Sequence, residues 1–148
     1  MPQPPIVTQV NVIVDWHMPP TGRFWRSFTK AMNDAAWESA QMYRTRVKDM
    51  LSIAVGRSNS GRVTERSKPG EPPRRETANL WRSIKVQQSK SLVYTWISTV
   101  VSYAFELENG TPKVAARPAW RPAFLQLWKI MGLNIQHRLD SFLQNYHP

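Results

Sequence analysis

The sequence predicts an α+β fold: a small antiparallel β-sheet packed by two long α-helices, with a long extended loop in the middle of the chain. Three observations predict it. Apolar residues recur at near-helical steps in two long stretches, one in each half of the chain. β-branched residues alternate in two shorter runs. Between the two helical stretches lies a segment with no period at all.

The first run is residues 6–16, where Ile6, Val10, Val12, Val14 and Trp16 share one parity and predict a strand. "MPPTG" breaks it. From about Thr21 to Ala54 the period turns helical through Phe28, Met32, Ala35, Ser39, Met42, Val47 and Met50, with Gly56 as the stop signal. Residues 56–76 are rich in Gly, Ser, Pro and charge and predict an extended basic loop or arm. Thr77 then suits an N-cap before a short helix with Leu80, Trp81 and Ile84 on one face. Val86 leads into a polar turn at Gln88–Ser91, and alternation over Leu92–Thr99 completes a hairpin. "SYAFELENGT" reads as a helical turn closed by Asn109 and Gly110. The second long helix follows to about Tyr146, with Pro122 in its first turn and a face of Phe124, Leu127, Met131, Ile135, Leu139 and Phe142. Gly132 invites a bend midway.

Length bounds the architecture: 148 residues make one domain, residues 1–148, around one core. No run of about eighteen apolar residues is present, so no membrane span is expected. The N-terminus lacks a basic region followed by an apolar run, which predicts no secretory signal. With no cysteine there is no disulfide framework and no thiolate chemistry, as suits a chain made in a cytosol.

A net charge of +10 favours anionic partners. Arg57, Arg62, Arg66, Lys68, Arg74 and Arg75 face only Glu65 and Glu71 within residues 56–75. Three readings of this segment stay open: a solvated linker, an arm that reaches a neighbouring protein, or a track along nucleic acid. Its "PGEPP" run stiffens it and lowers the entropy lost on docking, which tilts the reading toward an arm. The seven tryptophans suit a core or a subunit interface better than nucleobase stacking.

No catalytic or cofactor-binding constellation is predicted. His17, His137 and His147 make no metal-ligand spacing. Glu106 and Glu108 lie two apart, off a common helix face, so an anchoring or contact role is expected in place of acid–base work. Neither a nucleophile elbow nor a phosphate-binding glycine loop occurs. The chain reads as a non-enzyme without cofactor or metal.

Four motifs stand in order: "SKPGEPP", "TANLWRSI", "YAFELENGT" and "ARPAWRPAF". Together they resemble the head–tail connector, or neck and tail-completion, proteins of long-tailed double-stranded DNA bacteriophages, the gene-ten-product-like family of lambdoid phages. The resemblance covers roughly residues 28–145. Its matching positions are Pro69, Gly70, Pro72 and Pro73; Thr77, Leu80, Ser83 and Ile84; Tyr103, Ala104, Glu108, Gly110 and Thr111; and Arg117 and Pro118. Ala78 departs from the family's usual glycine, and Asn109 and the Ala119–Trp120 pair replace more usual aromatic and aliphatic residues.

The resemblance implies a structural virion protein of the neck, assembled in the host cytoplasm. It implies a homo-oligomeric ring, with six subunits favoured and twelve as the alternative, through which DNA passes. Its partners would be an adjacent head-completion or connector ring and a tail-tube or tail-terminator protein. Such a ring needs heterologous contacts that close. The implied contact residues are Lys68, Pro69, Gly70, Pro72, Pro73, Arg74, Arg75 and Trp81, then Tyr103, Glu108, Gly110, Thr111, Arg117 and Trp120. Arg57, Arg62 and Arg66 are the candidates for non-specific contact with passing DNA. The competing expectation is a small basic nucleic-acid-binding module that uses residues 56–76.

Overall fold

A computed structural model describes residues 22–61, 63–88 and 95–146. The strand expected at 6–16, the apex of the hairpin, Arg62, His17 and His147 lie outside the described residues.

Helix α1 spans Gly22–Met50, and helix α4 spans Trp120–Asn145. Between them come strands β1 (Gly56–Arg57) and β2 (Val63–Glu65), helix α2 (Asn79–Ser83), strands β3 (Lys85–Gln88) and β4 (Thr95–Ser98), and helix α3 (Tyr103–Asn109). The α+β class therefore holds in its coarse form. The strands form two separate antiparallel pairs, β1 with β2 and β3 with β4, in place of one sheet. In the second pair Val86 stands opposite Ile97 and Gln87 opposite Trp96.

The layers run α4, α1, hairpin. The two long helices pack on each other, and the β3–β4 hairpin packs on α1. Helix α1 thus buries two sides, which explains why so much of its length is covered. Towards α4 it presents small residues at mid-length: Ala35 is fully buried, and Asn134 of α4 donates from Nδ2 to the Ser39 hydroxyl at 3.2 Å. Small side chains there let the helices approach closely. Towards the hairpin, Gln88 Nε2 donates to the Asn33 carbonyl at 2.7 Å, and Arg44 Nε to the Ile84 carbonyl at 3.2 Å.

Each end of the helix pair closes differently. At the start of α1, Phe24 meets Phe142 of α4 and Tyr146 just beyond it edge-on, and Phe28, stacked on Phe24, meets Phe142 edge-on as well. At the other end Val47, Leu51, Ile84, Ala119 and Ala123 form a dry cluster, with Leu80, Trp81, Ile97 and Trp120 packed around it. Tyr43 crosses the helix pair here, and its hydroxyl donates to the Trp120 carbonyl at 2.9 Å.

Helix α1 ends at Met50, earlier than the periodicity predicts, and Gly56 is not its stop. Ser52 turns back on the Asp49 carbonyl through both its amide and its hydroxyl. The chain then enters a parallel bridge, Ala54 with Arg75, in which the Arg75 amide donates to the Ile53 carbonyl at 2.6 Å. That bridge gives the segment expected as an extended basic loop or arm at 56–76 a fixed backbone link at its end. The segment opens with the β1–β2 ladder and is tied back to its own starting point by Arg75. Aperiodic composition hides these links because backbone atoms make them.

Burial disfavours the Tyr43 phenolate, and the nearby Glu108 carboxylate repels it, so the Tyr43 pKa is pushed well above the ordinary tyrosine value. The native state therefore holds the Tyr43 proton more tightly than the unfolded chain does. The stability this contributes is present below pH ~10 and is lost as pH rises above it. Alkaline unfolding followed by circular dichroism should begin there, and Tyr43→Phe should flatten that loss while costing about 1 kcal/mol at neutral pH.

Candidate partner-binding site

The four sequence motifs are dispersed along the chain, yet the fold bonds three of them into one unit and lays the fourth against it. The junction is Glu108, on the last turn of α3 and only 8 % exposed. Its Oε2 accepts the amides of Ala119 at 2.8 Å and Trp120 at 3.0 Å, and its Oε1 accepts the Arg121 amide at 2.7 Å. Those amides open α4, where the first turn has no internal acceptors. Ala119, the residue at the cap position, supplies no side-chain bond. A carboxylate from another helix thus caps α4 and places a negative charge at the positive end of its dipole.

Gly110 makes the return possible. It adopts φ 77° and ψ 174°, a region open to glycine alone. A Cβ there would stand 2.9 Å from the Ala116 nitrogen, so the chain folds back onto a bare backbone. Thr111 closes the turn by exchanging backbone hydrogen bonds with Val114 and by accepting the Val114 amide on its hydroxyl. The Arg117 amide then donates to the Leu107 carbonyl at 2.6 Å.

The proline-rich strap joins the same unit. The Gly70 amide donates to the Ala116 carbonyl at 2.9 Å, and Arg117 Nε donates to the carbonyl of buried Ser67 at 3.2 Å. Glu71 caps the strap's own turn by accepting the Lys68 amide at 2.9 Å. Lys68 and Pro69 stay exposed, whereas Pro72 and Pro73 are half-buried.

Helix α2 brings in the remaining motif. Thr77 is not its cap. That position belongs to Ala78, which sits at φ 63°, ψ 5° in the left-handed region and makes no side-chain cap bond. An L-residue with a Cβ pays about 1–2 kcal/mol to adopt that conformation. Trp81 anchors the helix, with its indole N–H donating to the Lys48 carbonyl at 3.1 Å and the Lys48 ammonium 4.2 Å above its ring. Desolvation by burial, with the nearby Arg44 guanidinium adding to it, holds the Lys48 pKa below the ordinary lysine value.

Strap, α2 and α3 enclose a half-open cleft of about 250 Å³. Leu51, Val55, Leu80, Trp81 and Leu107 give it an apolar floor. Arg66, Arg74, Arg75 and Arg117 line it with positive charge, against Glu76 alone among the carboxylates. Arg74 is paired with Glu65 at 2.7 Å, a contact that lowers the Glu65 pKa and raises that of Arg74. Arg66 lies 3.8 Å from Glu76. Arg75 and Arg117 form no ion pair among the described residues.

Of the residues singled out by sequence, Arg74, Arg75, Trp81, Tyr103 and Arg117 therefore meet at the cleft, joined by Pro73 and by the DNA-contact candidate Arg66. Glu108, Gly110 and Thr111 build its frame. Trp120 is half-buried and packs against the core cluster. Arg57 stands apart on β1, where its guanidinium donates to the Gly61 carbonyl at 2.9 Å. Sequence reasoning missed Tyr43, Ser67 and Glu76. It also missed a second apolar side on α4, where Leu125, Trp128 and Leu143 are all exposed, the last about five turns beyond the first. Among the described residues no group of three metal-ligating side chains occurs, and no helix is long and apolar enough to cross a membrane.

Comparison with protein-family models, curated proteins and solved structures finds no match for the chain.

Two glycine-sensitive positions give opposite expectations. Ala78→Gly relieves left-handed strain at some entropic cost in the unfolded chain, and should raise stability by up to about 1 kcal/mol. Gly110→Ala forces a Cβ into the Ala116 backbone and should destabilise by about 2 kcal/mol or more. Thermal and urea melts of the two variants check both signs.

Proposed function

We propose that the chain is a non-catalytic structural protein of a bacteriophage virion, forming a homo-oligomeric ring at the neck that joins the DNA-filled head to the tail. The observation that carries this reading is the convergence of the four resembling motifs. Segments as far apart as Ser67 and Arg117 are hydrogen-bonded into one unit, so the motifs form a single structural device with a reason to occur together.

The surface supports assembly. Helix α4 buries one side on α1, yet exposes Leu125 at 62 %, Leu133 at 65 % and Trp128 at 50 %. Apolar side chains spread along both flanks of a long helix are more than a monomer needs and suit contacts between copies. Tyr103, at 40 % exposure, borders the cleft from α3 and adds an aromatic contact beside the strap.

A second reading, a small nucleic-acid-binding module, draws on the exposed cations Arg57, Arg66, Lys68 and Arg75 of the 56–76 segment. Its affinity for DNA would fall steeply with salt. A neck ring would instead form rings as concentration rises, with contacts dominated by protein.

Electron microscopy of particles assembled without this chain tests the first reading. Filled heads beside separate, finished tails are the expected result. Normally joined particles would remove the chain from the neck.

A further inference from the structure

The arginine-lined cleft has a chemistry of its own: the neck reading names Arg75, Trp81 and Arg117 as contact residues but does not say what they take. Four guanidinium groups converge on a space with an apolar floor, and among the described residues only two of them have a carboxylate partner. Arg117 is held in place by its Nε bond to Ser67, which leaves its terminal nitrogens without a partner among the described residues. Arg75 is positioned by the backbone bridge to Ile53 and Val55, and its side chain forms no ion pair among the described residues. Arginine presents a rigid fork of donors that matches a carboxylate in bidentate fashion. The Arg117 fork, held at the edge of an apolar recess with the unpaired Arg75 beside it, is incomplete without an anion.

We propose that this cleft binds an acidic, apolar segment of a partner protein, seating a carboxylate against Arg75 and Arg117 and an apolar side chain over Leu80 and Trp81. Charge complementarity selects the anion, and shape selects its carrier. At about 250 Å³ the cleft takes a side chain or two, less than the ~300–1,000 Å³ typical of small-molecule sites. A nucleic-acid strand needs a groove that follows successive phosphates and faces for its bases. Here the charge is gathered at one recess, and the floor is aliphatic as well as aromatic. An extended peptide that alternates a carboxylate with an apolar side chain satisfies both halves of the lining. The proposal rests on the cleft itself and stands whether or not the chain belongs to a phage neck.

The test is two-dimensional NMR of the full chain titrated with three probes. One is an N-acetylated hexapeptide alternating glutamate and leucine, one is its glutamine-for-glutamate analogue, and one is hexathymidylate. The acidic peptide should move the Trp81 indole signal and the arginine Nε–H signals of the cleft. The glutamine analogue should bind about tenfold more weakly or worse, as expected for loss of a charge-assisted pair. Arg75→Glu should abolish the shifts without lowering the melting temperature, because Arg75 serves the fold through its backbone; if that variant melts early, Arg75→Gln is read in its place. Absence of shifts with the acidic peptide, equal binding of the glutamine analogue, or unchanged binding by the Arg75 variant would overturn the proposal. Stronger movement of the same signals by hexathymidylate would overturn it in favour of a phosphate site.

Discussion

The structure depends on one carboxylate. Glu108 is buried, and it accepts three successive amides at the start of α4. Those bonds fix where α4 begins and how it leaves α3. With α4 placed, Tyr43 reaches the Trp120 carbonyl from α1, and the apolar cluster around Ile84 closes between them. A buried carboxylate is tolerated only when its oxygens are satisfied. Here three backbone amides satisfy them, with no paired cation among the described residues.

The same bracket shapes the surface. Because Glu108 pins residues 119–121, the chain between Gly110 and Pro118 must fold tightly over itself, and its carbonyl at Ala116 becomes the acceptor that holds Gly70. The proline-rich strap is thereby laid across α2 and α3, and the arginine-lined cleft is the space left beneath it. Within the stretch expected as an extended loop or arm, the chain is anchored at Ser67, Gly70 and Arg75, with its prolines stiffening the spans between anchors. Stiffness at these points presents side chains to a partner at little entropic cost.

The long helices were legible because their spacing follows the helical period, and their ends were read to within a few residues except at the C-terminus of α1. There a serine turn and a backbone bridge, neither with a composition signal, end the helix before Gly56. The β3–β4 pairing was legible from alternation. The layer order was not, because nothing in a helical stripe says whether its partner is a helix or a hairpin. Glu108 was singled out, but its job as a cap on a helix eleven residues away is invisible to local reading, since ordinary caps lie within the same turn. The positive φ of Ala78 carries no composition signal, because alanine is an ordinary helix former and nothing local marks it as left-handed. Tyr43 carried no sequence signal beyond a place near an apolar face.

The most direct measurement is amide hydrogen exchange in wild type and in Glu108→Gln. A glutamine has one acceptor oxygen, and its amide group would oppose the N–H groups it faces. If Glu108 brackets the whole unit, the variant should lose protection at residues 119–121 and also, in concert, at Gly70 and Arg117, whose amides touch Glu108 nowhere. Loss confined to the first turn of α4, with Gly70 and Arg117 as protected as in wild type, would contradict it.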